Sequence, residues 1–110
     1  MLRKDLDDLQ ENGLLGDWCF TDSDKSLWLR YPNPSENWKN SLPDDQKPIL
    51  EDYPIRGDLV HLYITSPQAP NNSKPVWDWN GSKEHPTLFP SINVISQWHG
   101  WLRNGKLEPA

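Results

Sequence analysis

The residues of this chain that are best suited to chemistry are concentrated toward its C-terminal end. Four of the seven Trp and two of the three His lie between positions 77 and 105. His99 is central among them, because it stands between Trp98 and Trp101 and is followed by Gly100. An imidazole can contact a ligand, accept a proton or coordinate a metal. The adjacent glycine leaves room for another backbone or a ligand to approach closely.

A binding surface is the first function that this block indicates. Side chains alternate along a strand, so His99 and Trp101 share one face and Trp98 points to the other. The candidate binding residues are Trp77, Trp79, Trp98, His99, Trp101 and Arg103. The alternative is structural: the Trp rings pack in the core, and His99 is a half-buried residue that bonds a backbone carbonyl in the sheet.

A metal site would require the three histidines to converge. His61, His85 and His99, joined by Asp78 or Glu84, have the chemistry to hold zinc. No two of these histidines are two or four residues apart, the separations that place ligands together on one strand or helix. We therefore favour no metal site. The sequence predicts that the protein uses no cofactor and contains no stoichiometric zinc.

Nucleophilic catalysis has little support in the sequence. Cys19 lies in a Trp-Cys-Phe run that is typical of a packed strand rather than of a site that activates a thiol. Ser91 lacks the elbow motif of a serine hydrolase. The adjacent carboxylates Asp7-Asp8 and Asp44-Asp45 are expected to be solvated. No catalytic residue is assigned, and the chain is expected not to be an enzyme.

Composition limits the partners and the compartment. The 110 residues suffice for one domain and carry a formal charge of -5 without a basic stripe. Phosphate backbones and anionic lipids attract clustered Lys and Arg, so neither nucleic acid nor a membrane is an expected partner. One Cys excludes an internal disulfide, and the first residues lack the apolar run of a signal peptide. We expect a cytoplasmic protein whose small core relies heavily on aromatic rings.

The elements that must position these residues are mostly strands. Leucines at positions 2, 6 and 9 predict a helix within residues 1–13, and residues 14–31 have the form of a hairpin. A Pro-rich loop over 32–57 precedes a β core over 58–110, with strands expected at 58–65, 76–79, 88–95, 98–103 and 106–108. Asn80-Gly81 and Asn104-Gly105 are tight-turn signals. We predict a single mainly β domain over 1–110, a small antiparallel β sandwich or partly open barrel with a short N-terminal helix and long Pro-rich loops.

Three motifs resemble those of a known family. They are Trp-x-Trp-Asn-Gly at 77–81, Pro-Thr-Leu-x-Pro-Ser-Ile at 86–92 and Trp-His-Gly-Trp-Leu-Arg-Asn-Gly at 98–105. Together they are similar to a family of small, uncharacterised proteins of bacteriophages and bacteria, a domain of unknown function that is sometimes described as metal-binding. Many members carry a Cys-rich segment and a Cys shortly before the His of the Trp-His-Gly element, a pattern that implies zinc. This chain departs from that pattern, because it has no Cys near His99.

Two functions from different classes fit these observations. The first is a small, acidic, Trp-rich binding protein, phage or prophage encoded, that engages a host protein through aromatic and acidic surface. The second is a carbohydrate-binding module in which exposed, coplanar Trp rings stack on sugars. We expect the first function, with a protein partner. The sequence leaves the oligomeric state open.

Overall fold

The computed structural model of the protein describes residues 1–32, 57–68, 70–72, 75–95 and 97–110. Within these ranges the chain forms one helix and eight strands, in the order α1 (Leu6–Asn12), β1 (Trp18–Thr21), β2 (Ser26–Tyr31), β3 (Asp58–Thr65), β4 (Val76–Trp79), β5 (Leu88–Phe89), β6 (Ile92–Val94), β7 (Trp98–Arg103) and β8 (Lys106–Pro109). The predicted mainly β class with a short N-terminal helix is confirmed. The Pro-rich loop predicted for 32–57 lies almost wholly outside the described residues. None of the described helical residues belongs to a segment long and apolar enough to cross a membrane.

Helix α1 begins and ends at residues that cap it. The Asp5 carboxylate accepts a hydrogen bond from the Asp8 N–H at 2.8 Å, as an N-cap does. At the other end the Gly13 N–H donates to the Leu9 carbonyl at 3.0 Å. A helix of seven residues is marginal alone. It is held by the fully buried Leu9 side chain and by Arg30 of β2, whose Nε donates to the Leu9 carbonyl at 2.9 Å.

The first sheet contains five strands in the order β1-β2-β3-β4-β5. Strands β1 and β2 form a hairpin, and β2 continues antiparallel to β3 with Leu27 opposite Leu62. Strands β3 and β4 are parallel, with Tyr63 opposite Val76. This parallel pair is the one departure from the expected antiparallel pairing among the described strands, and it means that the chain returns after Thr65 to run in the same direction.

The second sheet contains three strands in the order β6-β7-β8, all antiparallel. Asn104 and Gly105 form the tight turn between β7 and β8, with φ values of 50° and 74°. Both values are positive, as the hairpin turn favoured by an Asn-Gly pair requires. Among the described strands, the two sheets are open and neither closes into a barrel.

Residues 88–95 do not form the single strand that the sequence predicts. Strand β5 belongs to the first sheet, whereas β6 belongs to the second. Pro90 lies between them and has no N–H to donate to a ladder. Ser91 therefore lies where the chain passes from one sheet to the other.

The two sheets enclose a common core that is mainly aliphatic. Its buried members are Trp18, Leu27, Leu29, Leu62, Ile64, Trp79, Leu88, Ile92 and Leu102. Trp18 and Trp79 are the two buried Trp residues in the described part of the chain, at 3% and 6% exposure. The core thus depends on Leu and Ile more than the composition suggested.

Candidate functional site

The outer face of the second sheet carries the polar side chains of the C-terminal block. Asn93 in β6 lies opposite His99 in β7, and both residues are exposed. Because side chains alternate, Ser91 and Trp101 lie on the same face as this pair, whereas Ile92 points into the core and is 1% exposed. The register of two neighbouring strands therefore gathers Ser91, Asn93 and His99 on one surface.

Ser91 and His99 are within hydrogen-bond distance of each other. Ser91 Oγ lies 2.8 Å from His99 Nε2. This separation is typical of a serine nucleophile and its general base, and the hydroxyl donates when Nε2 is unprotonated. The interpretation of His99 as a half-buried residue bonded to a backbone carbonyl is wrong, because the residue is exposed and its ring contacts a hydroxyl.

No carboxylate is hydrogen-bonded to His99 in the described ranges. Glu108 lies opposite Trp101 and therefore on the outer face, but its Oε2 pairs with Arg103 Nη1 at 3.2 Å. The Arg103 guanidinium also lies over the Trp101 ring, 4.2 Å from its centroid. Ser91 and His99 thus form a dyad, and an aromatic and charged cluster lies beside it.

The backbone of Ser91 is held by Trp77. The indole Nε1 of Trp77 donates to the Ser91 carbonyl across 3.4 Å, a long hydrogen bond. Trp77 belongs to β4, so this contact joins the segment that carries Ser91 to the first sheet. A contact of this kind limits the positions that the Ser91 backbone can take relative to β4.

The other candidate binding residues divide between the outer face and the interior. His99, Trp101 and Arg103 share the outer face, and Phe89 joins them with its ring centroid 5.9 Å from that of Trp101. Trp79 is buried, and its Nε1 donates to the Ser82 carbonyl at 2.9 Å. Phe89 is 60% exposed and was not among the residues selected from the sequence. Its position next to Trp101 follows from the sheet change at Pro90.

Trp98 lies on the inner face of β7. It is half-buried and packs against the core, and its ring centroid is 6.5 Å from that of Tyr31. None of the Trp residues that the structure describes is exposed. The coplanar, exposed rings that would favour a carbohydrate-binding module are therefore not found in this part of the chain.

The three histidines are not brought together. His61 stacks on Trp28, with ring centroids 4.3 Å apart and an angle of 5° between the planes. His85 is exposed in the segment between β4 and β5. Among the residues described, no three His, Cys, Asp or Glu side chains lie close enough to hold a metal ion. The alternative of a zinc site built from His61, His85 and His99 finds no geometric support.

Cys19 is not placed for catalysis either. The side chain is fully buried in β1. Burial, with a smaller contribution from the negative charge of Asp5, raises the pKa of the Cys19 thiol to about 11. The thiol is therefore protonated at neutral pH and is a poor nucleophile.

One family model matches the chain. It is described as "Bacterial ubiquitination-like system serine protease (BubE)" and it matches residues 57–110, the segment that contains both Ser91 and His99. This match supports a relation to a bacterial family of small domains. No curated protein and no solved structure matches the chain significantly.

The expectation that the chain is not an enzyme is wrong, because the matching family is named as a serine protease. The sequence interpretation rejected Ser91 for lack of an elbow motif, which is the signature of one fold only. Serine and histidine pairs recur on unrelated folds and are recognised by their geometry. The sequence alone did not reveal this pair, because whether Ser91 meets His99 depends on the register of β6 and β7, which places Asn93 opposite His99.

Proposed function

We propose that this protein is a serine protease of a bacterial ubiquitination-like system, with Ser91 as the nucleophile and His99 as the general base. The observation that carries the proposal is the 2.8 Å separation of Ser91 Oγ and His99 Nε2 on an accessible face. The family match over residues 57–110 supports the class of reaction and the setting.

The dyad supplies the proton transfers that peptide hydrolysis needs. His99 Nε2 takes the proton of the Ser91 hydroxyl as Oγ bonds to the carbonyl carbon of the scissile peptide. The tetrahedral intermediate then expels the amine, which receives that proton from the imidazolium. His99 next removes a proton from water, the resulting hydroxide attacks the acyl ester, and the acid product leaves as Ser91 regains its proton. The long Trp77 hydrogen bond to the Ser91 carbonyl helps to position the segment that carries the nucleophile.

The partner of this site is a protein, engaged as a substrate. Phe89, Trp101 and Arg103 lie on the same face as the dyad and offer aromatic and cationic contacts to an approaching chain. The formal charge of -5 favours encounter with a basic surface. The phage or prophage origin and the cytoplasmic location remain predictions from the sequence.

A fluorophosphonate probe tests the proposal without a known substrate, since it reacts covalently with an activated serine. We expect mass spectrometry to locate the label on Ser91. The S91A variant should not be labelled, and H99A should be labelled at least about 100-fold more slowly, which is the usual contribution of a general base. S23A and H85A are matched controls, because both positions are exposed and lie outside the site. Labelling of Ser91 at the same rate in H99A would refute the role of the base.

A further inference from the structure

A groove lies between the two sheets, next to Ser91. It has a volume of about 350 Å³ and is bounded by β3, by the start of β4 and by β6 with the residue that follows it. The lining is mainly apolar and includes Val60, Tyr63, Pro75, Trp77, Val94 and Ile95, with His61 and Asn93 as polar members. No Asp, Glu, Lys or Arg is among the described residues that line it. Trp77 lines this groove and also donates to the Ser91 carbonyl, so the groove lies beside the segment that carries Ser91.

Strand β6 presents one backbone edge toward this groove. Among the described strands, β6 has a single neighbour, β7. The His99 carbonyl accepts a hydrogen bond from the Ala110 N–H at 3.1 Å, so the backbone groups of His99 point toward β8. Along an antiparallel strand, the backbone groups of successive residues point alternately to one neighbour and to the other. The β7 residues that bond β6 are therefore Trp98, opposite Val94, and Gly100, opposite Ile92.

The N–H and carbonyl of Asn93 consequently point away from β7. The hydrogen bond of Ser91 agrees with this direction. Ser91 lies two residues before Asn93, so its carbonyl points the same way, and it is bonded by Trp77 of the other sheet rather than by β7. No described residue bonds the backbone of Asn93 on this outward side. A donor and an acceptor therefore lie open at the edge of β6, two residues from the nucleophile.

We infer that an extended segment of the protein substrate adds to β6 as an antiparallel strand, exchanging two backbone hydrogen bonds with Asn93 and inserting an apolar side chain into the groove. Strand addition to an exposed edge is a common way to bind a peptide, with backbone bonds for affinity and alternate side chains for specificity. This inference rests on the proposed function and adds the substrate class, which is an unfolded or extended segment with an aliphatic or aromatic residue.

The alternation of side chains sets the relation between the groove and the scissile bond. The substrate residue opposite Asn93 points its side chain to the outer face, where the dyad lies, and its two neighbours point into the groove. One of those neighbours is the apolar residue, so it lies within about two residues of the bond that Ser91 attacks. A carboxylate there would lose its water without a Lys or Arg among the described lining residues to pair with, which disfavours acidic substrates.

The test uses the S91A protein, in which a peptide binds without turnover, and two pools of acetylated, amidated heptapeptides. One pool carries Leu, Phe or Val at the central position among Ala and Ser, and the other carries Asp there. We expect the apolar pool to slow hydrogen exchange at the Asn93 amide and to shift its NMR resonance, and the Asp pool to bind at least about tenfold more weakly.

Two pairs of variants, each made in the S91A background, separate the contributions. N93P removes the outward N–H at a position where an edge strand tolerates proline, and N93A removes the same side chain but keeps the N–H. Peptide affinity should fall about three- to tenfold from N93A to N93P, the loss expected for one hydrogen bond. I95D places a charge in the lining of the groove, at a residue that is 82% exposed. L14D is its control, at a residue outside the groove lining that is 43% exposed. Affinity should fall in I95D and stay at the S91A value in L14D.

The outcomes distinguish this inference from the proposed function. If the wild-type protein is labelled at Ser91 but neither pool protects the Asn93 amide, strand addition is wrong and the protease proposal stands. Equal affinity in N93P and N93A, or equal binding of the two pools, also overturns the inference. If Ser91 is not labelled but the apolar pool binds as described, the groove is a peptide-binding site and the hydrolytic role falls.

Discussion

Replacing Gly100 with Ala is expected to destabilise the second sheet by about 2–3 kcal/mol, the upper part of the range for overpacking a well-packed interior. A Cβ at this position would meet the Cζ2 atom of the Trp98 ring in a clash, Trp98 Cη2 at 2.7 Å and the Glu108 carbonyl oxygen at 2.5 Å. The Trp98 ring packs against the core, and the Glu108 carbonyl belongs to the backbone of β8. The Glu108 carbonyl cannot yield without moving β8, so the space beside His99 that was expected to admit a ligand is already filled by the protein.

Urea unfolding followed by Trp fluorescence measures this change, with G81A as the control. Gly81 has a φ of 85°, and its Cβ would have only Gln68 Oε1 nearby, at 3.6 Å. That substitution therefore costs the strain of a left-handed conformation, about 1–2 kcal/mol, without a clash. We also expect slower fluorophosphonate labelling in G100A, because β7 carries His99. A free energy of unfolding within about 0.5 kcal/mol of the wild type would refute the close packing around Gly100.

Three further predictions concern the rest of the described structure. W79A should lower the free energy of unfolding by about 3–5 kcal/mol, since the ring is 6% exposed; an unchanged urea midpoint would contradict its place in the core. Burial alone would raise the pKa of Asp17, but hydrogen bonds from the Leu14 N–H, the Met1 amino group and Arg3 hold it below the ordinary 3.8. Because the folded pKa is the lower one, this stabilisation is present above about pH 4 and is lost as the pH falls further. D17N should therefore flatten the acid limb of a stability profile, and an unaltered limb would exclude that role. Cys19, with its raised pKa and full burial, should react with a thiol reagent at pH 8 only after denaturant is added; rapid reaction of the native protein would show that β1 is open.

The fold was predictable to the extent that its signals are local. The alternation at 58–65, the leucines at 6 and 9, and the Asn104-Gly105 pair each depend on residues close in sequence, and the structure contains the corresponding strand, helix and turn. Leu2 was expected on the same helical stripe but lies before the helix, in an isolated bridge with Trp18. The parallel pairing of β3 with β4 was not predictable in this way. The two strands are separated by residues 66–75 of the sequence, so their pairing is not set by neighbouring residues. The split of 88–95 at Pro90 was also missed, although a proline inside an expected strand is a warning.

The site depended on register, which a single sequence does not encode locally. From the sequence, His99 is a candidate binding residue, whereas Ser91 is rejected for lack of an elbow motif, so no prediction joins the two residues. Their 2.8 Å contact arises because Asn93 lies opposite His99, which places Ser91 diagonally across the pair. A shift of one residue would turn one of the two side chains to the opposite face.

The sequence by itself determined the charge, the single cysteine, the strand-forming segments and the concentration of Trp and His near the C-terminal end, because these are properties of composition and local pattern. The tertiary structure decided which of those residues meet. It turned Trp79 and Trp98 inward, separated His61 and His85 from His99, and brought Ser91 to His99 beside an apolar groove. The physical reason is that pairing between strands, and the face that each strand buries, are set by packing of the two sheets on a shared core rather than by neighbours along the chain.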